Sequence, residues 1–235
     1  MRPDPAQGVF ETMFVNDGRV MAPARHLNRL AGSTAALFGH RPPRDLAARV
    51  RAAAADLTGR HRLRVDVVPG EDATLTVAPV AAGPPRPVTL DPVVVPGGLG
   101  PHKWRDRRLL ATVASRYRGT ISGFEQVPLL VDADGTVLEA AWGNVWILEG
   151  DALVTPPADE RILPGVTRAL LLELAPAMGL RPQEQPISLR RLQAAPVSFA
   201  TSAIRLAVPA TLGGQGAPAS TAAVNRIRTA LGAHC

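Results

Sequence analysis

The chain has 235 residues, of which 46% are hydrophobic, so it is long enough to bury a substantial core as one large domain or two smaller ones. Its net charge of +6 comes from dispersed arginines with no aromatic-rich strand, which argues against nucleic-acid binding and favours acidic small molecules as ligands. The sequence has no apolar run typical of a membrane span or a signal peptide, and its single cysteine, Cys235, excludes internal disulfides and multi-thiolate metal sites, so we expect a soluble cytoplasmic protein without a metal.

The first part of the chain predicts a small α/β domain with an antiparallel sheet, which we assign to residues 1–82. Alternation of apolar and polar residues predicts the strands, and helical spacing predicts the helices between them. The predicted elements are a strand at 9–15, a turn at 16–18, helices at 24–38 and 44–57, and strands at 63–67 and 74–77.

Proline and glycine then become frequent between residues 79 and 101, which predicts a connecting segment that also includes at least one strand. We assign residues 83–102 to an interdomain linker. Residues 103–235 are expected to form a larger α/β domain. Its predicted elements are a helix at 105–117, an antiparallel meander with strands at 127–131 and 137–146 and a short strand ending at 155, and an apolar helix that opens at 164 and runs to about 178.

The start of this last helix, Pro164-Gly165-Val166-Thr167, is a candidate for an anion site. The first backbone N–H groups of a helix have no partner within the helix, and a glycine lets a ligand approach the main chain. Many helices begin in this way and bind nothing.

Lys103 is the single lysine among the 26 basic residues, and the other 25 are arginines. A lysine can lose its proton and attack a carbonyl carbon, whereas a guanidinium stays protonated. A lone lysine therefore suggests amine chemistry, although a bias of composition towards arginine would also explain it.

Four separated blocks of sequence occur in an order that carries a family resemblance. They are Gly8-Val9-Phe10-Glu11-Thr12 with His26-Leu27-Asn28-Arg29-Leu30 and Ser33; His102-Lys103-Trp104-Arg105-Asp106-Arg107; Gly135-Thr136-Val137-Leu138-Glu139 with Gly143-Asn144-Val145-Trp146; and Thr155-Pro156-Pro157 with Ile162-Leu163-Pro164-Gly165-Val166-Thr167-Arg168. Together they resemble, over nearly the whole chain, the fold-type IV pyridoxal 5'-phosphate (PLP) enzymes, a family that includes branched-chain and D-amino-acid aminotransferases and 4-amino-4-deoxychorismate lyase. The resemblance implies a two-domain α/β fold.

The resemblance also implies how the chain would use PLP, which is an aldehyde with an electron-withdrawing ring. Lys103 would hold the cofactor as a Schiff base and later move protons at the substrate. Glu139 would face the pyridine nitrogen and favour its protonated form, although a glutamate on a strand can also simply be solvated. Asn144 belongs to the same motif and could equally satisfy backbone groups.

Several residues are expected to bind the phosphate group of PLP. Arg29 matches the arginine of the family's His-x-x-Arg-Leu helix, and helical spacing places His26, Arg29 and Ser33 on one face. Val166 and Thr167 would contribute backbone N–H groups and a hydroxyl. The aminotransferases tend to have threonine where this chain has Ala203, so the last contact is expected from Ser202 or from main-chain N–H groups there.

Two departures from the aminotransferase pattern favour a lyase. Residues 202–205, Ser-Ala-Ile-Arg, are similar to the Asn-Ser-Leu-Arg pattern of deoxychorismate lyases, and Arg108 replaces an aminotransferase tyrosine. We therefore expect conversion of 4-amino-4-deoxychorismate to pyruvate and 4-aminobenzoate, with Arg107 and Arg205 as the candidate substrate-binding arginines. The alternatives are an aminotransferase acting on branched-chain or D-amino acids and an inactive or nucleic-acid-binding paralogue.

The resemblance further implies a homodimer, because members of the family commonly complete their site with a loop of the partner. Family members also begin further upstream than this chain, so we expect other elements or a partner chain to cover the edge of the N-terminal sheet. The expected partners are otherwise an amino-acid-like small molecule, with neither nucleic acid nor membrane.

Overall fold

The computed structural model describes residues 2–83, 85–115, 120–121, 124–213 and 221–234. They divide into two compact units. The first consists of the described residues within 1–84, 102–109 and 233–235, and the second of those within 85–101 and 110–232. Within the described residues, no helix has both the length and the apolar character that a bilayer-spanning segment requires.

In the part of the first unit that the structure describes, an antiparallel four-stranded sheet packs with two α-helices. The strands lie in the order β2-β1-β3-β4. Their bounds, with those of the helices, are β1 (Val9–Asn16), β2 (Arg19–Val20), α1 (Pro23–Phe38), α2 (Leu46–Ala54), β3 (Arg60–Val67) and β4 (Thr74–Pro79). Alternate residues of β1 and β3, such as Val9, Met13 and Leu63, form one core with Leu30 of α1 and Val50 of α2. The predicted antiparallel α/β unit is therefore present.

The segment that carries Lys103 belongs to this first unit, although we had assigned it to the second domain. The Phe10 N–H donates to the Lys103 carbonyl at 2.9 Å, and the Arg105 N–H donates to the Gly8 carbonyl at 3.0 Å. Gly8, just before β1, has a φ of 88°, and a Cβ at this position would collide with the Val67 carbonyl, so its close approach to the end of β3 requires glycine. These main-chain bonds attach residues 102–109 to β1.

The described residues of the second unit form ten strands and four α-helices. Its elements are β5 (Val88–Val94), α3 (Arg108–Ala114, which begins in the first unit), β6 (Thr120–Ile121), β7 (Phe124–Val131), β8 (Thr136–Ala140), β9 (Gly143–Glu149), β10 (Ala152–Thr155), α4 (Val166–Leu174), β11 (Arg181–Glu184), β12 (Ile187–Ser188), α5 (Leu189–Ala194), β13 (Val197–Ser202), β14 (Leu206–Leu212) and α6 (Thr221–Gly232). A single turn of 3-10 helix, Ala175–Met178, follows α4.

Six of these strands close into a barrel in the order β9-β13-β14-β5-β7-β8, because β8 also pairs with β9. Valine, leucine and alanine side chains from all six strands share one core, for example Leu90, Leu129, Val145, Ala200 and Val208. The sheet is mixed, since β5 runs parallel to both β7 and β14. The predicted meander is present as β7 to β10.

Three predicted elements differ from the structure. The predicted linker contains β5, a strand of the barrel, because its residues pair with β7 and β14 on both sides. The predicted helix at 105–117 begins only at Arg108, where the Asp106 carboxylate accepts the Arg108 N–H at 3.1 Å. The predicted strand at 137–146 is two strands, because the chain reverses after Ala140 and pairs Glu139 with Asn144.

Candidate functional site

Lys103 lies against an aromatic ring of the first unit. Its Nζ is 4.8 Å from the centroid of the Phe10 ring, a distance at which the face of the ring attracts a cation. The preceding residue is also held in place, since His102 Nδ1 is 3.0 Å from Ser33 Oγ and the imidazole packs edge-on against Trp104. Burial lowers the pKa of His102, which favours its neutral form. The backbone on both sides of the lysine is thus fixed.

Arg29 extends from α1 to a carboxylate on β1. Its Nε donates to Glu11 Oε1 at 2.8 Å and its Nη2 donates to Glu11 Oε2 at 2.9 Å. His26 Nδ1 lies 2.8 Å from the same Oε2. His26, Leu30 and Ser33 of α1 are all buried, and Leu30 packs in the core of the first unit, so the structure does not separate them into the two faces that helical spacing predicted.

Glu11, which pairs with Arg29 and His26, belongs to one of the motifs quoted above but had no predicted role. The sequence does carry a signal, because β1 places a glutamate on the same face as Val9, Met13 and Val15. A charged residue on the buried face of a strand requires a partner, because burial of an unpaired carboxylate has a high free-energy cost.

Glu139 and Asn144 of the second unit hold the same loop residue. Glu139 Oε2 accepts the Leu163 N–H at 3.3 Å, and Asn144 Nδ2 donates to the Leu163 carbonyl at 2.9 Å. The two side chains come from directly paired positions of β8 and β9 and are both buried. The hairpin thereby fixes the loop that leads into α4.

The N-terminus of α4 has the features of an anion site. The N-cap residue of α4 is Gly165, so no N-cap side chain accepts from the first N–H groups of the helix. These groups also have no acceptor within the helix. The side chain of Thr167 is buried, and its Oγ1 has no hydrogen-bond partner among the described residues. A buried hydroxyl beside the positive end of a helix fits a phosphate group. Val166 lies in the same first turn and is also buried.

Gly165 is expected to be intolerant of a side chain. A Cβ at this position would collide with Asn144 Oδ1, so Gly165→Ala must displace Asn144 and break its bond to Leu163. We expect a loss of about 1–3 kcal/mol of unfolding free energy from this overpacking. Thermal denaturation measures it.

Gly32→Ala is the matched control, because its Cβ meets nothing within 4 Å and Gly32 lies inside α1. This variant should be neutral or slightly stabilising. Equal melting temperatures for the two variants would contradict the tight contact at Gly165.

The segment 202–205 forms the turn between β13 and β14. Ser202 Oγ accepts the Arg205 N–H at 3.3 Å, and Ala203 lies within the turn, partly buried. The Arg205 guanidinium donates to both Glu125 oxygens, at 2.8 and 3.1 Å, and stacks over Trp142 at 4.8 Å. The predicted substrate arginine therefore already has a carboxylate partner.

The other two arginines of interest lie near the lysine in sequence. Arg108, which replaces the aminotransferase tyrosine, is exposed and donates to Asp106 at 2.9 and 2.7 Å. The same hydrogen bonds hold the pKa of Asp106 well below its usual range. Arg107, the second predicted substrate arginine, is exposed in the first unit.

The predicted residues thus fall into two groups. Lys103, Arg29 and Arg107 lie in the first unit, whereas Glu139, Val166, Thr167, Ser202, Ala203 and Arg205 lie in the second. Among the described residues, no cluster of three or more histidine, cysteine or acidic side chains could bind a metal.

Comparisons with known proteins agree on one family. Residues 8–212 match the model of the class IV aminotransferases. Over 101 residues the chain is 33% identical to a provisionally named branched-chain-amino-acid aminotransferase of Methanocaldococcus jannaschii. The match covers 43% of this chain and spans 33% of the length of that relative.

Two solved structures have the same fold. A hypothetical aminotransferase from Mycobacterium tuberculosis in its PLP-bound form has a TM-score of 0.81 and 26% identity, with 97% of this chain and 89% of that chain covered. A provisionally named 4-amino-4-deoxychorismate lyase from Legionella pneumophila has a TM-score of 0.77 and covers 98% of this chain and 92% of its own, but at 20% identity it supports the fold alone. On the match of residues 8–212, the chain belongs to the class IV aminotransferases, enzymes whose cofactor is PLP.

Proposed function

We propose that the chain is an aminotransferase that moves an amino group from an amino acid to a 2-oxo acid. An aminotransferase is the alternative to the lyase that the sequence left open. It is supported by the names of the curated relatives, which include branched-chain-amino-acid aminotransferases of Methanocaldococcus jannaschii and Arabidopsis thaliana. The hypothetical aminotransferase from Mycobacterium tuberculosis has also been solved with α-ketoglutarate and PMP.

The pairing of Arg205 with Glu125 is the observation that favours amino transfer over the elimination catalysed by a lyase. The lyase hypothesis uses Arg205 to bind a substrate carboxylate as a bidentate pair on its two terminal nitrogens, Nη1 and Nη2. Glu125 already forms this pair. Amino transfer does not depend on Arg205, so it is the function that the geometry supports best.

We assign the following roles to the residues of the first unit. When bound, PLP supplies a ring that stabilises negative charge at the substrate carbon. Lys103 Nζ would bind the cofactor covalently, and the same amine would serve as the base that moves the proton at the substrate Cα. Arg29 binds the phosphate group, and its fork of N–H donors suits this acceptor.

The residues of the second unit complete the assignment. Val166 and Thr167 donate to the phosphate group from the start of α4, with Ser202 or the backbone at Ala203 as a further contact. Glu139 holds a proton at the pyridine nitrogen, because an anion favours the charged form of a base beside it. Its own position is kept by the Leu163 N–H.

The lyase stays as the second candidate, because the pattern of residues 202–205 and the sequence Lys103-Trp104-Arg105-Asp106-Arg107 are similar to those of deoxychorismate lyases. In that case Arg107 is the remaining candidate to bind a substrate carboxylate. Folate-related 4-aminobenzoate would then be a product.

We also propose that the enzyme is a homodimer in the cytoplasm.

One experiment separates the two candidates. The purified enzyme is incubated with branched-chain and D-amino acids plus 2-oxoglutarate, and separately with 4-amino-4-deoxychorismate. We expect glutamate to appear in the first reaction and no pyruvate in the second. Pyruvate and 4-aminobenzoate without glutamate would establish the lyase instead.

A further inference from the structure

Glu11 is a charged residue inside the apolar core of the first unit. Only 1% of its surface is exposed, and it shares its face of β1 with the core residues Val9, Met13 and Val15. Burial of an isolated carboxylate in such a place costs several kcal/mol of free energy, so other groups must compensate its charge.

Two residues of α1 do so in a specific geometry. Arg29 approaches with the side of its guanidinium that carries Nε and Nη2, and each of these nitrogens donates to a different oxygen of Glu11. A planar fork on a planar carboxylate fixes both the distance and the plane of the guanidinium. Helical spacing of three residues brings His26 to the same carboxylate.

His26 stabilises the arrangement in its neutral form. Burial lowers the pKa of this imidazole, and its Nε2 has no hydrogen-bond partner among the described residues. A protonated ring would leave a buried N–H without an acceptor and add a cation beside Arg29. The neutral ring instead donates from Nδ1 to Glu11. Burial alone would raise the pKa of Glu11, but the charge of Arg29 and the hydrogen bonds from His26 and Arg29 outweigh it and lower this pKa to about 2. The carboxylate is therefore ionised, and its pair with Arg29 is intact, at physiological pH.

The consequence concerns how Arg29 is presented. An arginine side chain on a helix has many rotamers, and fixing it on binding a ligand costs conformational entropy. Glu11 imposes this restriction before any ligand arrives. A guanidinium carries five N–H groups, and the Nε and Nη2 groups of Arg29 are the ones that face Glu11.

We propose that Glu11 is a positioning residue that holds Arg29 in the orientation in which it binds the phosphate group of the cofactor. The inference rests on the role of Arg29 in the proposed function. Glu11 itself touches neither substrate nor cofactor in this account. A purely structural ion pair would stabilise the fold without any preference for a phosphate-bearing ligand, and this difference makes the two roles distinguishable.

The test compares the affinity of two ligands for the full-length enzyme. PLP is dialysed out of the purified enzyme, and the dissociation constants of PLP and of pyridoxal, which lacks the phosphate, are measured by absorbance. For Glu11→Gln we expect PLP to bind about 10- to 100-fold more weakly, by analogy with groups that orient metal ligands. Pyridoxal should bind as it does to the wild type.

Glu149→Gln is the matched control. Glu149 accepts from Nε and Nη2 of Arg191 at 3.1 and 2.8 Å, which is the same fork geometry at a pair in the second unit. This variant should leave both dissociation constants unchanged. If Glu11→Gln weakens PLP and pyridoxal by the same factor, or weakens neither, the positioning role is wrong.

Two further variants keep the test decisive. Glu11→Gln leaves a cation without its partner and is expected to lower stability, so Glu11→Asp, which retains the charge but shortens the side chain, serves if the first variant does not fold. It should show the same selective loss for PLP. Arg29→Gln tests the underlying assignment: if its preference for PLP over pyridoxal equals that of the wild type, the phosphate role of Arg29 fails. A large loss in Arg29→Gln with none in either Glu11 variant overturns only the present inference.

Discussion

Replacement of Lys103 with alanine is expected to abolish covalent attachment of PLP and to lower turnover by roughly 10²- to 10⁴-fold through loss of the positioned base alone. Lys103→Arg should fail to the same extent, because a guanidinium stays protonated and does not attack the aldehyde. Reduction of the wild-type enzyme with borohydride makes the bond permanent, and peptide mass spectrometry then finds the modified residue.

The composition of the chain makes this result easy to interpret. Lys103 is the only lysine, so the modification must lie there or on the amino group at the start of the chain. Enzyme that is denatured and freed of PLP before reduction is the control and should carry no label. Label found solely on the N-terminal amine of the native enzyme would refute the assignment of Lys103.

Removal of the charge of Glu139 has the second largest expected effect. Glu139→Gln should retain PLP, because Lys103 and the phosphate contacts are unchanged, but turnover should fall by about a hundredfold or more as for other preorganised electrostatic contacts. The reason is that a neutral amide no longer favours a proton on the pyridine nitrogen. Steady-state kinetics and absorbance spectra measure the two quantities separately.

Glu149→Gln again serves as the control. It should retain full turnover, because neither Glu149 nor its partner Arg191 in the short helix α5 has an assigned role in binding the cofactor or the substrate. Turnover of Glu139→Gln at the wild-type level would mean that Glu139 only holds the loop through Leu163. Loss of bound PLP in this variant would instead indicate that the loop at Leu163 had moved.

Local patterns predicted the first unit closely. The predicted strand at 9–15 is Val9–Asn16, and the predicted helix at 24–38 is Pro23–Phe38. Both have clear sequence boundaries: the turn after β1 has a positive φ at Asp17 and Gly18, and α1 begins at a proline and ends at Gly39 in the left-handed region. Such signals lie within a few residues of the element that they delimit.

Errors arose where distant residues decide the structure. Nothing near Lys103 in sequence indicates that its carbonyl accepts the Phe10 N–H, so the lysine was assigned to the wrong side of a domain boundary. Similarly, the hairpin at residues 141–142 lacks the asparagine or glycine pair of common tight turns, and the sequence there reads as one strand.

The same limit applies to the candidate site. The motif residues could be identified because their order along the chain resembles a family, but their partners could not. Glu125 lies 80 residues before Arg205, and only the paired strands of the barrel bring them together. The role of Glu11 was open to prediction from its apolar neighbours on β1, whereas its partner Arg29 lies on the following helix.

The barrel also determines when the second unit can fold as the chain is made. β14 pairs in parallel with β5, which is synthesised more than 100 residues earlier. One edge of β5 therefore has no neighbour until the chain has been extended through Leu212. Long-range parallel pairing of this kind is slow and leaves apolar edges exposed in the meantime. The nascent second unit therefore depends on the last strand of the barrel for protection against aggregation, and a ribosome that pauses before residue 206 would prolong the vulnerable interval.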